Sequence, residues 1–251
     1  LIALVTTSTD LEQFDMNAFV EALKETLGNR FAGLLHTIND SIGDRIQASD
    51  GRCKLIYGED KIVENLLGLD FEISMQSFFQ TNPECAEKLY QKVIDYVQDT
   101  EEKQEVIMDL FCGTGTIGQI IANQIPGAEV IGVDIVPEAI KDAKKNAKRN
   151  NVEGLKFFAA DVGKFLQEYP QYKGNISTVV LDPPRAGIAP KTLKKVVQLN
   201  SSRIVYVSCN PATQARDTEY LLSEGYKLKK LSFADQFPHT SHVEAIALFE
   251  K

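Results

Sequence analysis

A chain of 251 residues with 43% hydrophobic side chains has enough apolar content for a buried core without disulfide staples, and it shows no apolar run of about 18 residues that would cross a membrane. Its four cysteines, Cys53, Cys85, Cys112 and Cys209, form no CxxC pair and no histidine-paired zinc spacing, which excludes a metal-finger or disulfide framework and fits a reducing, cytoplasmic setting with no metal. A net charge of -8 argues against a free-standing nucleic-acid binder, yet residues 1–105 carry 20 acids and 9 bases whereas residues 106–251 carry 15 and 18, so a polyanion can still meet the second part.

Leu1 already lies inside an apparent strand, so the sequence reads as a piece of a longer chain. Residues 1–75 read as a small α+β domain: strand LIALVTT, helix FDMNAFVEALKETL, strand FAGLLHTIN, a turn at Asp50 and Gly51, strand KLIYG and a further strand in LGLDFEIS. A helix is expected from Pro83, capped by Asn82, with Ala86, Leu89, Val93 and Val97 as its buried stripe. The polar segment QDTEEKQE after it reads as a hinge or solvated turn. From Val106 onward short apolar strands alternate with amphipathic helices, and two strands, LKKLSFADQF and VEAIALFE, close the chain. That pattern predicts a Rossmann-like α/β sheet, mostly parallel and covered on both faces, over residues 76–251, with ligands at the carboxyl ends of its strands.

In VIMDLFCGTGTIG a strand runs into Gly113, Gly115 and Gly118, a GxGxxG turn before a helix. Alone this is a weak signal. Asp134 ends the next strand 21 residues after Gly113, where a carboxylate accepts from ribose hydroxyls, and Asp161 at the following strand tip is placed to accept from an adenine amine. Asp109 suits a cationic ligand bearing an amino group better than a pyrophosphate, which favours S-adenosylmethionine over NAD; its alternative is a structural cap of the loop. Cys112 lies inside that loop and is otherwise a buried structural cysteine.

LDPPRAG puts Asp182 at a strand end, with Pro183 and Pro184 stiffening the backbone beyond it. Paired prolines also simply end strands. Arg185 is placed either to meet a phosphate or to hold a carboxylate. Cys209 follows the strand RIVYVS and precedes Asn210 and Pro211 at a helix start, where a thiol is expected to have a lowered pKa and to act as a nucleophile; the other reading is a buried structural cysteine. Glu244, after His239 and His242, is a proton acceptor if burial raises its pKa, or else an ordinary strand-edge acid.

SFFQTNP, DLFCGTGTIG, LDPPRAG, VYVSCNP and HVEAIALFE, in that order, resemble the motifs of the S-adenosylmethionine-dependent RNA uracil C5-methyltransferases that act on 23S rRNA and tRNA. The resemblance runs from about Ser74 to the end. It implies Cys209 as nucleophile, Glu244 as general base and Asp182 as a carboxylate supporting the uracil. It also implies Gln80, Asp134 and Asp161 as cofactor-binding positions beside the backbone of Phe111 to Gly113, and Phe79 packed next to the reacting groups. The implied substrate is a uridine in rRNA first, tRNA second, with no DNA and no membrane. Family members commonly carry an amino-terminal RNA-binding barrel and many an iron–sulfur site; neither is expected in these residues. Lys141, Lys144, Lys145, Lys148 and Arg149 on EAIKDAKKNAKRN read as a solvated helix face, with RNA contact the lesser alternative. Two other readings stay open: an NAD-dependent oxidoreductase, from GxGxxG and Asp134, and a noncatalytic adaptor that keeps the fold for RNA or protein contacts.

Overall fold

The structure, a computed structural model, describes residues 1–41, 53–75, 77–101 and 105–251. The chain divides into two units, Leu1–Glu64 with Glu72–Gln76, and Asn65–Phe71 with Ser77–Lys251. In the first unit β1 (Ile2–Thr6) runs parallel to β2 (Gly33–Ile38), and β2 pairs antiparallel with β3 (Cys53–Gly58). A parallel pair needs a crossover, and α1 (Met16–Leu27) supplies it. Asp15 caps α1 by accepting from the Ala18 amide at 3.0 Å. Met16, Phe19, Val20, Leu23 and Leu27 then make the helical stripe that packs with Ile2, Leu4, Phe31, Leu34 and Ile56.

The strands β4 (Lys61–Leu66) and β5 (Leu69–Ser74) form a hairpin whose tip goes with the second unit. β4 is not among the strands expected from sequence, and β5 starts two residues inside LGLDFEIS. The reason is the turn: Leu67 and Gly68 both adopt positive φ, 50° and 82°, the geometry of a two-residue hairpin without the Asn-Gly or Asp-Gly that would announce it. The turn expected at Asp50 and Gly51, and residues 102–104 of the expected hinge, lie outside the described residues.

The second unit opens with α2 (Pro83–Gln98), where Pro83 occupies the first turn and Asn82 Oδ1 accepts from the Cys85 amide at 3.2 Å. Next come β6 (Val106–Leu110), α3 (Thr116–Gln124), β7 (Glu129–Asp134), α4 (Pro137–Arg149), β8 (Leu155–Ala159), α5 (Val162–Glu168) and β9 (Thr178–Leu181). The chain finishes with α6 (Pro190–Gln198), β10 (Arg203–Ser208), α7 (Pro211–Ser223), β11 (Lys227–Ala234) and β12 (Glu244–Glu250). The seven strands lie in the order β11-β12-β10-β9-β6-β7-β8. β12 alone runs against its neighbours. This is the expected Rossmann-like, mostly parallel α/β sheet.

Continuous apolar strands explain why both faces are covered. One face packs Ile107, Val130, Val180, Val205 and Ile246 against α2 and α3. Met108, Ile131, Val179, Ile204 and Phe249 turn to the other face, against α5, α6 and α7. Strand order reverses between β6 and β9, which pair directly. The crevice outside their carboxyl ends is where a doubly wound sheet holds a ligand, and Asp109, Phe111 and Asp182 stand there. No helix among the described residues is long and apolar enough to cross a membrane.

Candidate active site

The glycine loop after β6 is built by its own backbone. Phe111 takes φ 65°, a left-handed conformation that is costly for a bulky side chain and marks a loop held by its surroundings. The amides of Phe111 and Cys112 both donate to the Val133 carbonyl, at 2.9 and 3.1 Å. Gly115, at φ 72°, caps α3. Gly132 is required by close approach, since a Cβ there would meet the Phe157 ring at 2.4 Å and Cys112 Sγ at 3.1 Å. Cys112 packs with the cluster of Ile140, Ala143, Ala147 and Phe157.

Both readings of Asp109 have an atom to support them. Its Oδ2 accepts from the Gly118 amide at 2.9 Å, which caps the loop. Oδ1 is buried without any hydrogen-bond partner. An orphaned acceptor of this kind is costly unless a ligand donor meets it, and burial pushes the carboxyl up to about 7. Asp134 accepts from the Gly113 amide at 2.9 Å through Oδ2 and from Val136 at 2.8 Å through Oδ1. Each oxygen keeps a lone pair for a ribose hydroxyl. Asp161 uses Oδ1 to cap α5, accepting from Lys164 at 2.9 Å. Gln80 is buried just before α2, its side chain against the Tyr90 hydroxyl. The residues around the loop therefore fit a cationic adenosine ligand.

The second half of the site comes from β9, β10 and β12. Ser208 pairs with Ala245 at the end of the antiparallel β10–β12 ladder; Cys209 and Glu244 are the residues next to that pair, and the Glu244 charge reaches the Cys209 thiol. Cys209 is held by its neighbours: the Asn210 amide donates to Ser208 Oγ at 3.1 Å, and Asn210 Oδ1 caps α7 through the Ala212 amide at 3.2 Å. Asn210 Nδ2 and Thr213 Oγ1 donate to the Arg185 carbonyl, at 3.1 and 3.3 Å. The DPPR loop and the cysteine loop thus form one hydrogen-bonded structure.

The expected lowering of the Cys209 pKa does not hold. Burial, followed by the charges of Glu244 and Asp182, pushes the thiol up, and Arg185 offsets this only in part. The helix start therefore loses first to burial and then to two carboxylates that arrive from other strands. Glu244 is 3% exposed, and burial raises its carboxyl. Burial, then Glu244 and Asp109, push half-buried Asp182 up to about 8, so it is mostly protonated at neutral pH. The Arg185 guanidinium meets His242 Nδ1 at 3.3 Å.

Phe79 is half-buried against the core, its ring 6.3 Å from that of Phe71. The ring left accessible is that of Phe78, 73% exposed.

Two residues at the site carry no motif signal. Tyr90 sits in the stripe of α2, and its hydroxyl is raised by burial and by the charges of Asp182, Asp109 and Glu244. A tyrosine where an apolar residue would suffice is the available clue. Asp217 is buried in α7, where it accepts from the Ile188 amide at 2.9 Å and from the Tyr206 hydroxyl at 2.8 Å. It ties the loop after Arg185 to β10. Among the described residues no group of three or more histidine, cysteine or acidic side chains is placed to hold a metal ion.

The sequence model of a family described as tRNA (uracil-5-)-methyltransferase matches residues 45–251. An uncharacterized RNA methyltransferase of Clostridium tetani is 42% identical over 98% of this chain and 52% of its own length. Another from Clostridium acetobutylicum is 42% identical over 100% of this chain and 53% of its own. The chain thus spans about half the length of the curated relatives it matches. The solved structure of the Pyrococcus abyssi tRNA (uracil-54, C5)-methyltransferase, in complex with S-adenosyl-L-homocysteine, superposes with a TM-score of 0.75 at 33% identity, covering 98% of this chain and 55% of that one. Pyrococcus horikoshii TYW2, at 15% identity and a TM-score of 0.61 over 100% of this chain and 86% of that one, shares the fold.

Proposed function

Because the chain belongs to the tRNA (uracil-5-)-methyltransferase family, we propose that it methylates C5 of a uridine in tRNA, using S-adenosylmethionine and a covalent bond from Cys209 to C6 of the base. The observation that carries this reading is the convergence of three side chains beside the Ser208–Ala245 pair: Cys209 lies within reach of both Glu244 and Asp182, and Asp182 within reach of Glu244. The sequence alone puts 23S rRNA ahead of tRNA. The family description and the Pyrococcus abyssi structure favour tRNA.

The unpartnered Asp109 Oδ1 would hold the amino group of the donor, Asp134 its ribose, and Gln80 with the Phe111–Gly113 backbone the remainder. When bound, the donor supplies an electrophilic methyl group to C5. Cys209 as thiolate adds to C6, forming the S–C6 bond and sending the C5=C6 electron pair toward C5 and the O4 carbonyl, since unactivated C5 is too weak a nucleophile. Neutral Asp182 donates a hydrogen bond to a uracil carbonyl as negative charge develops, the use to which a carboxyl with a raised pKa is suited. Once C5 is methylated, Glu244 takes its proton, the C–H pair restores the C5=C6 bond, and the thiolate leaves. A stacked base cannot reach these groups, so the uridine must be unpaired or extruded.

Two opposing ionisations set the pH dependence. Thiolate increases with pH toward the raised pKa of Cys209, while neutral Asp182 is lost above about 8. In the wild-type protein kcat/KM rises with pH and flattens near 8. In Asp182→Asn, whose amide remains a donor at every pH, the rise continues beyond 8 from a lower starting value. An unchanged inflection near 8 in that variant would remove Asp182 from the reaction.

The substrate is tested with a tritiated methyl donor offered to unmodified tRNA and to 23S rRNA fragments, followed by nucleoside analysis. Label in tRNA as 5-methyluridine is expected. Label confined to rRNA would restore the ribosomal reading, and S-adenosylhomocysteine binding without label in either RNA would refute the enzyme reading. NAD binding in place of S-adenosylhomocysteine would favour an oxidoreductase.

A further inference from the structure

We propose that the groove between α4 and β8 is a docking surface for the sugar–phosphate backbone of RNA, with Lys144 and Lys148 as its principal phosphate contacts. The inference rests on the RNA reading above and adds where, outside the reaction centre, the strand is held. β8 is the last strand of the sheet, with no ladder partner on its outer side among the described residues. Two adjoining hollows lie along it. One, of about 520 Å³, is lined by Pro137, Ile140, Lys141, Lys144, Lys145, Lys148 and Ala159. The other, of about 390 Å³, includes Lys144, Lys148 and Lys156 over Ala147, Leu155 and Phe157. Lys144 and Lys148 border both.

The charges separate these two lysines from their neighbours. Lys141 pairs with Glu138 at 3.7 Å, Lys145 with Asp142 at 3.9 Å, and Lys156 with Glu129 at 2.5 Å. Lys144 and Lys148, one helical turn apart on α4 and both exposed, have no acidic partner among the described residues. A solvated helix face is normally laced with i,i+3 and i,i+4 pairs. Here two cations are left unneutralised above an apolar floor, in a chain whose net charge is -8. Lysine stems cover apolar surface while their heads stay available to a phosphate. The groove also reaches the reactive edge of the sheet, because Ala159 ends β8 at the edge that carries Asp134 and Cys209. β8 and β10 are four strand spacings apart, about 19 Å, which a short stretch of single strand can bridge.

The test compares wild type with Lys144→Glu/Lys148→Glu and with Lys191→Glu/Lys194→Glu, an equal charge change on exposed residues of α6. Binding to fluorescein-labelled oligouridylate is followed by anisotropy across a salt series. Losing two single-strand phosphate contacts should lower the slope of log K against log salt by about 1.4 and weaken binding roughly tenfold at physiological salt. The α6 variant should stay near wild type, S-adenosylhomocysteine affinity and melting temperature should not move, and KM for tRNA should rise with kcat held. An α4 variant with wild-type slope and affinity, an equal loss in the α6 variant, or a wild type that does not bind oligouridylate overturns the proposal. Binding does not require turnover, so an α4-dependent wild type that methylates nothing sinks the enzyme reading and leaves the groove standing.

Discussion

Cys209→Ala is expected to reduce methyl transfer to tRNA by on the order of 10⁴-fold or more, because the nucleophile has no substitute. Cys85 is also within reach of the Glu244 charge, but it lies on α2, whereas Cys209 follows directly on the Ser208–Ala245 pair and is within reach of both Glu244 and Asp182. The alanine variant should bind S-adenosylhomocysteine as wild type does, since Asp109, Gly113 and Asp134 belong to β6, the loop after it and β7. It should form no covalent product with RNA. Retained turnover in Cys209→Ala would mean that the reaction does not pass through a thiol adduct, while loss of both turnover and cofactor affinity would indicate a damaged fold.

Glu244→Gln should behave differently although it too is slow. Removing a positioned base costs roughly 10² to 10⁴-fold, yet addition of Cys209 to C6 does not need that base. The variant should therefore accumulate a protein–RNA adduct, visible as a band resistant to denaturant, that wild type turns over. Its stability gives an independent check. Burial raises the folded-state pKa of Glu244 above its unfolded value, so its protonated form stabilises the fold below the unfolded pKa, and that contribution is lost as pH rises through the folded one. Glu244→Gln should thus melt above wild type at neutral pH, with the gap narrowing in acid. A slow variant with no adduct would place Glu244 before the addition step rather than after it.

What is legible in the sequence depends on the range of each signal. Asp134, Asp182 and Cys209 are identifiable because each terminates or directly follows an apolar run, and a parallel sheet brings such ends to one edge. The proximity of Cys209 and Glu244 is not legible without the resemblance, since it depends on β12 pairing antiparallel with β10 up to Ser208 and Ala245. The Cys209 pKa goes astray for the same reason: the helix start is local, whereas the burial of the thiol and, after it, the carboxylates of Glu244 and Asp182 come from the tertiary fold. Asp217 carries no motif signal, and its role in tying the loop after Arg185 to β10 depends on tertiary contacts. In SFFQ, sequence does not distinguish the core-packed ring of Phe79 from the accessible one of Phe78. Lys144 and Lys148 read as ordinary exposed lysines because ion pairing with neighbouring acids depends on side-chain placement.

The most direct test of the account is to incubate the protein and S-adenosylmethionine with tRNA in which uridine is replaced by 5-fluorouridine, then digest and sequence any covalent protein–RNA product. Fluorine cannot leave C5 as a proton does, so the methylated intermediate should remain attached. The predicted result is an adduct mapped to Cys209, carrying one methylated fluorouracil and absent from Cys209→Ala. An adduct on another residue, or none from a protein that binds S-adenosylhomocysteine and methylates ordinary tRNA, would contradict it.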